Sequence, residues 1–198
     1  MKNILKTLLA LLIVSLFTGS CNNGTRAPEE SLDEPEPLTE EMNDSIQSTF
    51  LDVKFGDSEK NVKANLLKKG IASNDGREYY PQNGKKISFG DHSWDYLLAI
   101  YNKNGKLAHI IFCKGYDDKS AALSDYDAIY STFSKQYKFK NEDLIDTELK
   151  SAFADSRDDR FITLKCNGHK DDGIEYKNDY FVSLAFVDGA LAAESESK

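Results

Sequence analysis

The stretch from residue 94 to residue 114 constrains the fold of this chain more than any other. Two apolar, β-prone runs, residues 96–101 and 107–113, flank a polar segment that contains Asn104-Gly105. This pair is favoured in tight turns because both residues tolerate positive φ. The pattern therefore predicts one antiparallel hairpin at the centre of a sheet.

Two amphipathic helices are predicted on either side of this hairpin. In residues 58–69, Val62 and Leu66 form an apolar stripe, Asp57 or Ser58 can cap the start, and Gly70 can end the helix. Residues 118–137 carry a broader stripe of the kind that packs on a sheet, made by Ala122, Tyr126, Ile129, Tyr130, Phe133 and Tyr137.

Each helix precedes a group of about four short strands. The first group is predicted at residues 77–81, 85–89, 95–101 and 107–113, and the second at residues 143–149, 152–154, 160–166 and 180–187. This order predicts an α+β fold in which two helix-plus-antiparallel-strand units lie in tandem, with the helices packed on one face of a mostly antiparallel sheet. The globular domain would span residues 50–188, in halves 50–115 and 117–188, followed by a frayed tail at 189–198.

The N-terminus has the pattern of a targeting signal. Residues 1–20 combine two lysines, an apolar run too short to span a bilayer comfortably and small residues directly before Cys21. A cysteine in this position resembles the lipobox of bacterial lipoproteins, including those of Bacteroidota. The resemblance implies cleavage before Cys21, acylation of Cys21 with palmitate-type chains, and an outer-membrane lipoprotein that faces the periplasm or the cell surface.

The segment from residue 21 to residue 49 is predicted to be the lipidated Cys21 and a disordered acidic tether. It is poor in aliphatic residues and rich in Asp, Glu and Pro, so it cannot bury enough apolar surface to fold. Removal of residues 1–20 takes away Lys2 and Lys6, which leaves 23 basic against 33 acidic residues, a net charge of −10. This charge argues against nucleic acid as a partner, because phosphate contacts need clustered Lys and Arg.

The layout and the opening of the domain are similar to a group of exported bacterial proteins. The phrase Phe55-Gly56-Asp57-Ser58, followed by Val62, Leu66 and Gly70, resembles the opening of β-lactamase-inhibitor-protein-like and PepSY-like domains. The second half lacks a matching Phe-Gly phrase before its helix. The resemblance implies α+β binding modules, some of them inhibitors, without shared catalytic residues.

Motifs for chemistry are weak in this chain. Asp155, Asp158 and Asp159 are interpreted as a solvated turn, because their spacing does not match a calcium loop. No catalytic motif or cofactor signature accompanies the serines, cysteines or histidines. Cys113 and Cys166 lie in strand-like runs, so one disulfide and two buried free thiols are both compatible with the sequence.

Aromatic residues at strand ends and in loops are the stronger functional signal. Tyrosine and tryptophan are favoured in protein interfaces, and the predicted binding surface consists of Trp94, Tyr96, Tyr101, Tyr116 and Tyr180. We therefore expect a membrane-anchored, non-catalytic module that binds a protein or peptide, of the inhibitor, immunity or envelope-assembly type. The alternative is a small carboxylate-dependent hydrolase or a carbohydrate-binding accessory lipoprotein.

Overall fold

The computed structural model of the chain describes residues 42–145, 147–168 and 178–194. These residues belong to one compact unit, Glu40–Lys198. The predicted signal peptide, Cys21 and the tether up to residue 41 lie outside the described residues, as do His169 and residues 195–198 of the predicted tail. Among the described residues, no helix is both long and apolar enough to cross a membrane.

The described chain forms twelve strands and three helices. The strands are β1 (Thr49–Phe50), β2 (Val53–Lys54), β3 (Ile71–Ala72), β4 (Glu78–Pro81), β5 (Ile87–Phe89), β6 (His92–Trp94), β7 (Tyr96–Tyr101), β8 (Leu107–Tyr116), β9 (Lys140–Asn141), β10 (Glu148–Asp155), β11 (Arg160–Gly168) and β12 (Tyr180–Asp188). The helices are α1 (Glu59–Lys68), α2 (Lys119–Phe133) and α3 (Gly189–Ala193).

Eight strands form one large sheet in the order β3-β4-β7-β8-β12-β11-β10-β9. Every neighbouring pair in this sheet is antiparallel. The two outermost strands, β3 and β9, are only two residues long. The other strands pair as two small antiparallel ribbons, β1 with β2 and β5 with β6. The predicted α+β class with a mostly antiparallel sheet is confirmed.

The predicted hairpin is present as β7 and β8, near the middle of the sheet. Gly105 takes a φ of +68° in the connection, as the Asn-Gly pattern requires. Asn102 closes the turn, since its side-chain Oδ1 accepts hydrogen bonds from the backbone N–H groups of Asn104 and Lys106, each at 3.0 Å. A register shift between Ile100 and Tyr101 marks a β-bulge beside the turn.

Both predicted helices are present, with the capping that their sequences indicate. The Ser58 side chain caps α1, and Gly70 follows it with a φ of +74°. Asp118 caps α2 through its carboxylate, which accepts the backbone N–H of Ala121 at 2.8 Å. The buried residues of α2 are the core-facing part of the predicted stripe, namely Ala122, Tyr126, Ile129 and Phe133.

The hydrophobic core lies on one face of the large sheet. A row of directly paired core residues crosses its four central strands, formed by Leu97, Phe112, Leu184 and Leu164. Aromatic residues of α2, β5 and β1 cover this row. Measured between ring centroids, Phe133 of α2 lies 6.1 Å from Phe186, and Phe50 of β1 lies 4.8 Å from the same ring. Phe89 of β5 stacks on Phe112 at 4.1 Å. Because a buried strand residue faces the core at every second position, this row fixes the orientation of all its neighbours.

The folded region begins before residue 50, so the predicted tether boundary is wrong. Asn43 and Ile46 are buried, at 7% and 2% relative exposure. The Asn43 amide donates to the backbone oxygen of Asp155 at 2.8 Å and accepts from the N–H of Lys138 at 2.8 Å. A few specific contacts to distant residues thus order a segment that its composition indicates to be disordered.

Three predicted local elements are also corrected. The strand predicted at residues 85–89 is present as β5, but it pairs only with β6 and stands outside the large sheet that holds β4. The two weak strands predicted at 143–149 and 152–154 are replaced by the single strand β10. Residues 189–193 of the predicted frayed tail form the helix α3, since Asp188 caps it by accepting the N–H of Leu191 at 3.1 Å.

Candidate binding face

The face of the sheet opposite the core also carries apolar side chains. On β8, Ile110 and Phe112 belong to the core, so the alternating residues His109, Ile111 and Cys113 project from the other side. Extending this alternation through the strand register defines the open face, which consists of Ala72, Glu78, Tyr80, Tyr96, Leu98, Ile100, His109, Ile111, Cys113, Phe181, Ser183, Ala185, Val187, Phe161, Thr163, Lys165, Asn167, Glu148, Ser151, Phe153, Asp155 and Lys140.

The centre of the open face is uncharged, although the chain has a net charge of −8. On the central strands β7, β8 and β12, its described positions hold no Asp, Glu, Lys or Arg. Charges occur on the outer strands, where Glu78 lies on β4 and Lys165 of β11 pairs with Glu148 of β10 at 2.5 Å. An apolar centre bordered by polar groups is the usual anatomy of a protein interface.

A pair of stacked tyrosines borders this centre on one side. The rings of Tyr80 and Tyr96 lie 5.6 Å apart, and Tyr80 is 47% exposed. The Tyr80 hydroxyl donates to Glu78 Oε2 at 2.9 Å, which fixes the ring over the strand. Burial raises the pKa of Tyr80 to about 12, and the neighbouring Glu78 contributes to this shift. The Tyr80 hydroxyl therefore remains protonated at neutral pH and, with its proton donated to Glu78, can still accept a hydrogen bond.

Cys113 lies in the open face as a buried thiol. Burial raises the pKa of Cys113 to about 12, so the thiolate needed for nucleophilic chemistry is not formed at neutral pH. Both Cys113 and Cys166 are free thiols. Cys113 pairs with Ser183 and Cys166 with Val182, so the two thiols point to opposite faces with β12 between them. Two strand spacings, about 9.6 Å, exceed the reach of a disulfide, and the disulfide alternative is wrong.

Four of the five aromatic residues proposed as a surface lie elsewhere. Trp94 is fully buried in the core and donates its Nε1–H to the backbone oxygen of Phe89 at 3.0 Å. Tyr101 follows the bulge and its hydroxyl lies 3.1 Å from that of Tyr79, which is buried. Tyr116 donates to Asp125 of α2 at 2.5 Å, and Tyr180 pairs with Tyr116. Only Tyr96 lies on the open face.

Sequence reasoning missed the aliphatic members of this face, although the signal was present. An antiparallel strand with one solvated face normally alternates apolar and polar residues. β7 instead reads Tyr-Leu-Leu-Ala-Ile-Tyr, which is apolar at both parities, and β8 contains Ile110-Ile111-Phe112-Cys113. A strand that is apolar on both sides indicates that each face of the sheet packs against other residues, of this chain or of a partner.

A cleft lies on the helix side of the sheet, at its β9–β10 edge. Its volume is about 420 Å³, and it is lined by Tyr126, Asp127, Tyr130, Asn141, Glu142, Leu144, Leu149, Lys150 and Ser151. Asp127 accepts from Lys150 Nζ at 2.5 Å, and the Ser151 hydroxyl donates to Glu142 Oε2 at 2.8 Å. The Lys150 ammonium also lies 5.5 Å from the ring centroid of Tyr126.

Asp158, Asp159 and His92 have structural surroundings. Asp158 accepts from Arg160 Nη1 at 2.6 Å, within a turn in which Asp159 has a φ of +57°. His92 Nε2 lies 3.0 Å from the Thr132 hydroxyl. Within residues 42–145, 147–168 and 178–194, no three His, Cys, Asp or Glu side chains are grouped closely enough to hold a metal ion.

Comparisons of the chain with family models, with known proteins and with solved structures find no match.

Proposed function

We propose that the chain is a non-catalytic module that binds a protein or peptide through the open face. The observation that carries this proposal is the uncharged apolar centre on β7, β8 and β12, where Leu98, Ile100 and Ile111 remain partly exposed in a strongly acidic protein. Exposed apolar patches rimmed by polar residues mark interaction sites, because water solvates such a surface unfavourably. A partner that covers Leu98, Ile111 and Phe161 would remove this surface from water.

The proposal includes an anchor at Cys21. The basic start, the apolar run and the small residues before Cys21 support an acylated, outer-membrane lipoprotein that faces the periplasm or the cell surface. The membrane would then be a second partner, contacted only through lipid. Metabolic labelling with an acyl chain tests the acylation of Cys21 by itself. We expect the Cys21→Ala chain to lose the label, and labelling that persists in that chain would contradict the anchor.

We also infer from the strand order that the domain consists of two tandem units and is related to β-lactamase-inhibitor-protein-like or PepSY-like domains. In the large sheet, the four strands that follow α1 and precede α2 occur in the order β3-β4-β7-β8, and those after α2 in the order β12-β11-β10-β9. Each group is a run of neighbouring strands, and the last strands of the groups pair with one another. This order supports two related units. Among the described residues of the second unit, the β5–β6 ribbon has no counterpart, which departs from a simple repeat.

Site-specific photo-crosslinking from native cell envelopes tests the binding proposal. A benzophenone amino acid that replaces Ile111 would sit in the open face, and one that replaces Leu67, which is 56% exposed on α1, is the matched control. We expect one stoichiometric protein adduct from position 111, none from position 67, and loss of the adduct in the Cys21→Ala background. Absence of a protein adduct at position 111, or equal adducts at both positions, would overturn the proposal.

The alternative function, a carboxylate-dependent hydrolase or a carbohydrate-binding accessory protein, has one observation in its favour. The cleft brings together Asp127, Glu142 and two tyrosines. Paired carboxylates can hydrolyse glycosidic bonds when one donates a proton and the other stabilises or attacks the sugar. Turnover of a glycan panel by the wild-type chain that is lost in both Asp127→Asn and Glu142→Gln would establish this function in place of the one proposed.

A further inference from the structure

We propose that the open face is the interface between two copies of this chain, related by a two-fold axis that runs parallel to the strands. This inference rests on the proposed function, since it names the protein that would cover the face. The open face presents about 20 side chains, and a standard protein interface uses roughly 20–30 residues from each partner. A second sheet matches such a surface, because two sheets packed face to face interdigitate their side chains in a common core.

The centre of the open face has the composition found between identical subunits. Homodimer interfaces are more apolar than those between transient partners. Leu98, Ile100 and Ile111 are partly exposed there, and the open-face positions of β7, β8 and β12 carry no charge among the described residues. The charges that border this centre are of both signs, so the acidic surplus of the chain lies mostly outside the surfaces that would meet.

One row of the open face carries opposite charges at its two ends. Its members are directly paired residues of seven strands, namely Glu78, Leu98, Ile111, Ala185, Thr163, Phe153 and Lys140. Glu78 on β4 is a carboxylate, Lys140 on β9 is an ammonium, and the residues between them are uncharged. The row is therefore complementary in charge to a copy of itself that runs in the opposite direction.

This charge pattern selects the direction of the two-fold axis. An axis parallel to the strands, between β8 and β12 at the middle of the large sheet, reverses the strand order, so that β4 of one copy lies over β10 of the other. Glu78 is then displaced from Lys140 of the second copy by one strand spacing, about 4.8 Å, which long side chains can bridge. An axis along the row would instead place Glu78 over Glu78 and Lys140 over Lys140, and like charges disfavour that arrangement.

The twist of the sheet and the place where the chain enters it agree with this axis. A two-fold axis keeps the hand of the twist, so both sheets twist in the same sense and stay in contact across their width. The chain enters the described region beside the end of β10, where the Asn43 amide donates to the backbone oxygen of Asp155. An axis parallel to the strands leaves this end of the sheet at the same level in both copies. Both copies would then approach one membrane from the same end, as the proposed anchor at Cys21 requires.

Sedimentation equilibrium of the purified mature chain carrying Cys21→Ala tests the proposal with the protein itself as the probe. At about 10–100 μM, a range that replaces the local density given by an anchor, we expect a reversible equilibrium between monomer and dimer. Ile111→Lys places a charge at the centre of the face and should weaken the dimer at least about tenfold. The matched control is Leu67→Lys on α1, where Leu67 is 56% exposed, and it should leave the dimer unchanged. A monomer over the whole range, equal weakening in both variants, or a series of larger species would overturn the proposal.

A charge exchange at the rim tests the axis without introducing a charge into the centre of the face. Glu78→Lys and Lys140→Glu should each weaken the dimer about three- to tenfold, because each variant brings like charges together at both ends of the row. The double variant restores opposite charges and should regain the affinity of the unmodified face. Weakening that adds up in the double variant, or no change in the single variants, would overturn the axis. Thermal melts followed by circular dichroism show whether each variant is folded.

Failure of this inference can be told apart from failure of the proposed function. In the envelope crosslinking experiment, a second copy gives an adduct from position 111 with twice the mass of the chain, which mass spectrometry identifies. A monomer in solution together with an adduct to a different protein would overturn the second copy and leave the proposed function standing. A monomer in solution with no adduct at all would overturn both.

Discussion

Phe112 and Ile111 are consecutive residues of β8, yet they belong to two different environments. Phe112 is fully buried under Phe89 and beside Trp94, whereas Ile111 remains partly exposed on the opposite face. Sheets with one solvated face normally place polar residues there. In this protein both faces are apolar at the centre, but α2, β5 and Phe50 cover one of them, whereas Leu98, Ile100 and Ile111 on the other remain partly exposed. The difference between the faces therefore separates residues that stabilise the fold from residues that are available for binding.

Truncation on the two faces should differ most in the free energy of unfolding. Phe112→Ala removes a fully buried ring and should lower that free energy by about 3–5 kcal/mol. Ile111→Ala removes a partly exposed side chain and should cost about 1 kcal/mol. Urea denaturation followed by circular dichroism measures both. A loss of similar size at the two positions would mean that the open face is packed as tightly as the core.

A pH titration probes the open face through its histidine. Burial lowers the pKa of His109, which lies between Ile100 and Val187 in the strand register. The unfolded chain therefore binds a proton more readily than the folded one, and the free energy of unfolding should fall as the pH drops below about 6.5.

The histidine contribution can be isolated by comparing variants between about pH 7.5 and pH 5. His109→Phe should reduce the fall in melting temperature over this range. Part of the fall should remain, because burial also lowers the pKa of His92. An identical pH dependence in the wild-type chain and His109→Phe would show that His109 is solvated in the folded protein.

Substitution at the border of the open face should separate binding from stability. Tyr80 is 47% exposed, so Tyr80→Ser should change the free energy of unfolding by about 0.5 kcal/mol or less. The same substitution should reduce the yield of the crosslinked adduct formed from position 111. Thermal melts and crosslinking of one preparation measure both quantities, and a large loss of stability would assign Tyr80 to the core instead.

The smallest expected effect is that of reducing agent. Cys113 and Cys166 point to opposite faces, so reduction should leave the melting temperature of the Cys21→Ala chain unchanged. Thiol titration of the denatured, unreduced chain should detect both cysteines. A melting temperature that falls on reduction, with no free thiol beforehand, would require a different strand register.

The local elements of the fold could be predicted because their signals are local. The Asn104-Gly105 turn, the Ser58 and Asp118 caps and the stripe of α2 each depend on residues within a few positions of one another. Gly105 is the clearest case, since its positive φ is required by the turn and permitted by the missing side chain. These signals placed both helices and the central hairpin correctly.

The misplaced residues depend on contacts between distant parts of the chain. The sequence pattern predicts a surface position for Trp94, at the end of a strand, but the register of β6 with β5 turns it into the core beside Phe112. The composition around Asn43 predicts a tether, but its side chain donates a hydrogen bond to the backbone oxygen of Asp155, a residue far along the sequence. The cleft has the same origin, because it forms only where α2 passes over β10. The two residues that form such a contact are too far apart in the chain to occur in one short segment of sequence.

The two-residue strands at both ends of the large sheet limit polymerisation through the sheet edges. An open sheet can grow when the unpaired backbone of its last strand recruits another chain, which is how many β-rich proteins polymerise. Here β3 and β9 offer a recruited strand very few backbone groups in a row. Copies crowded together at high local density would therefore find only two-residue strands to extend at either end of the sheet, even though each copy displays an apolar surface.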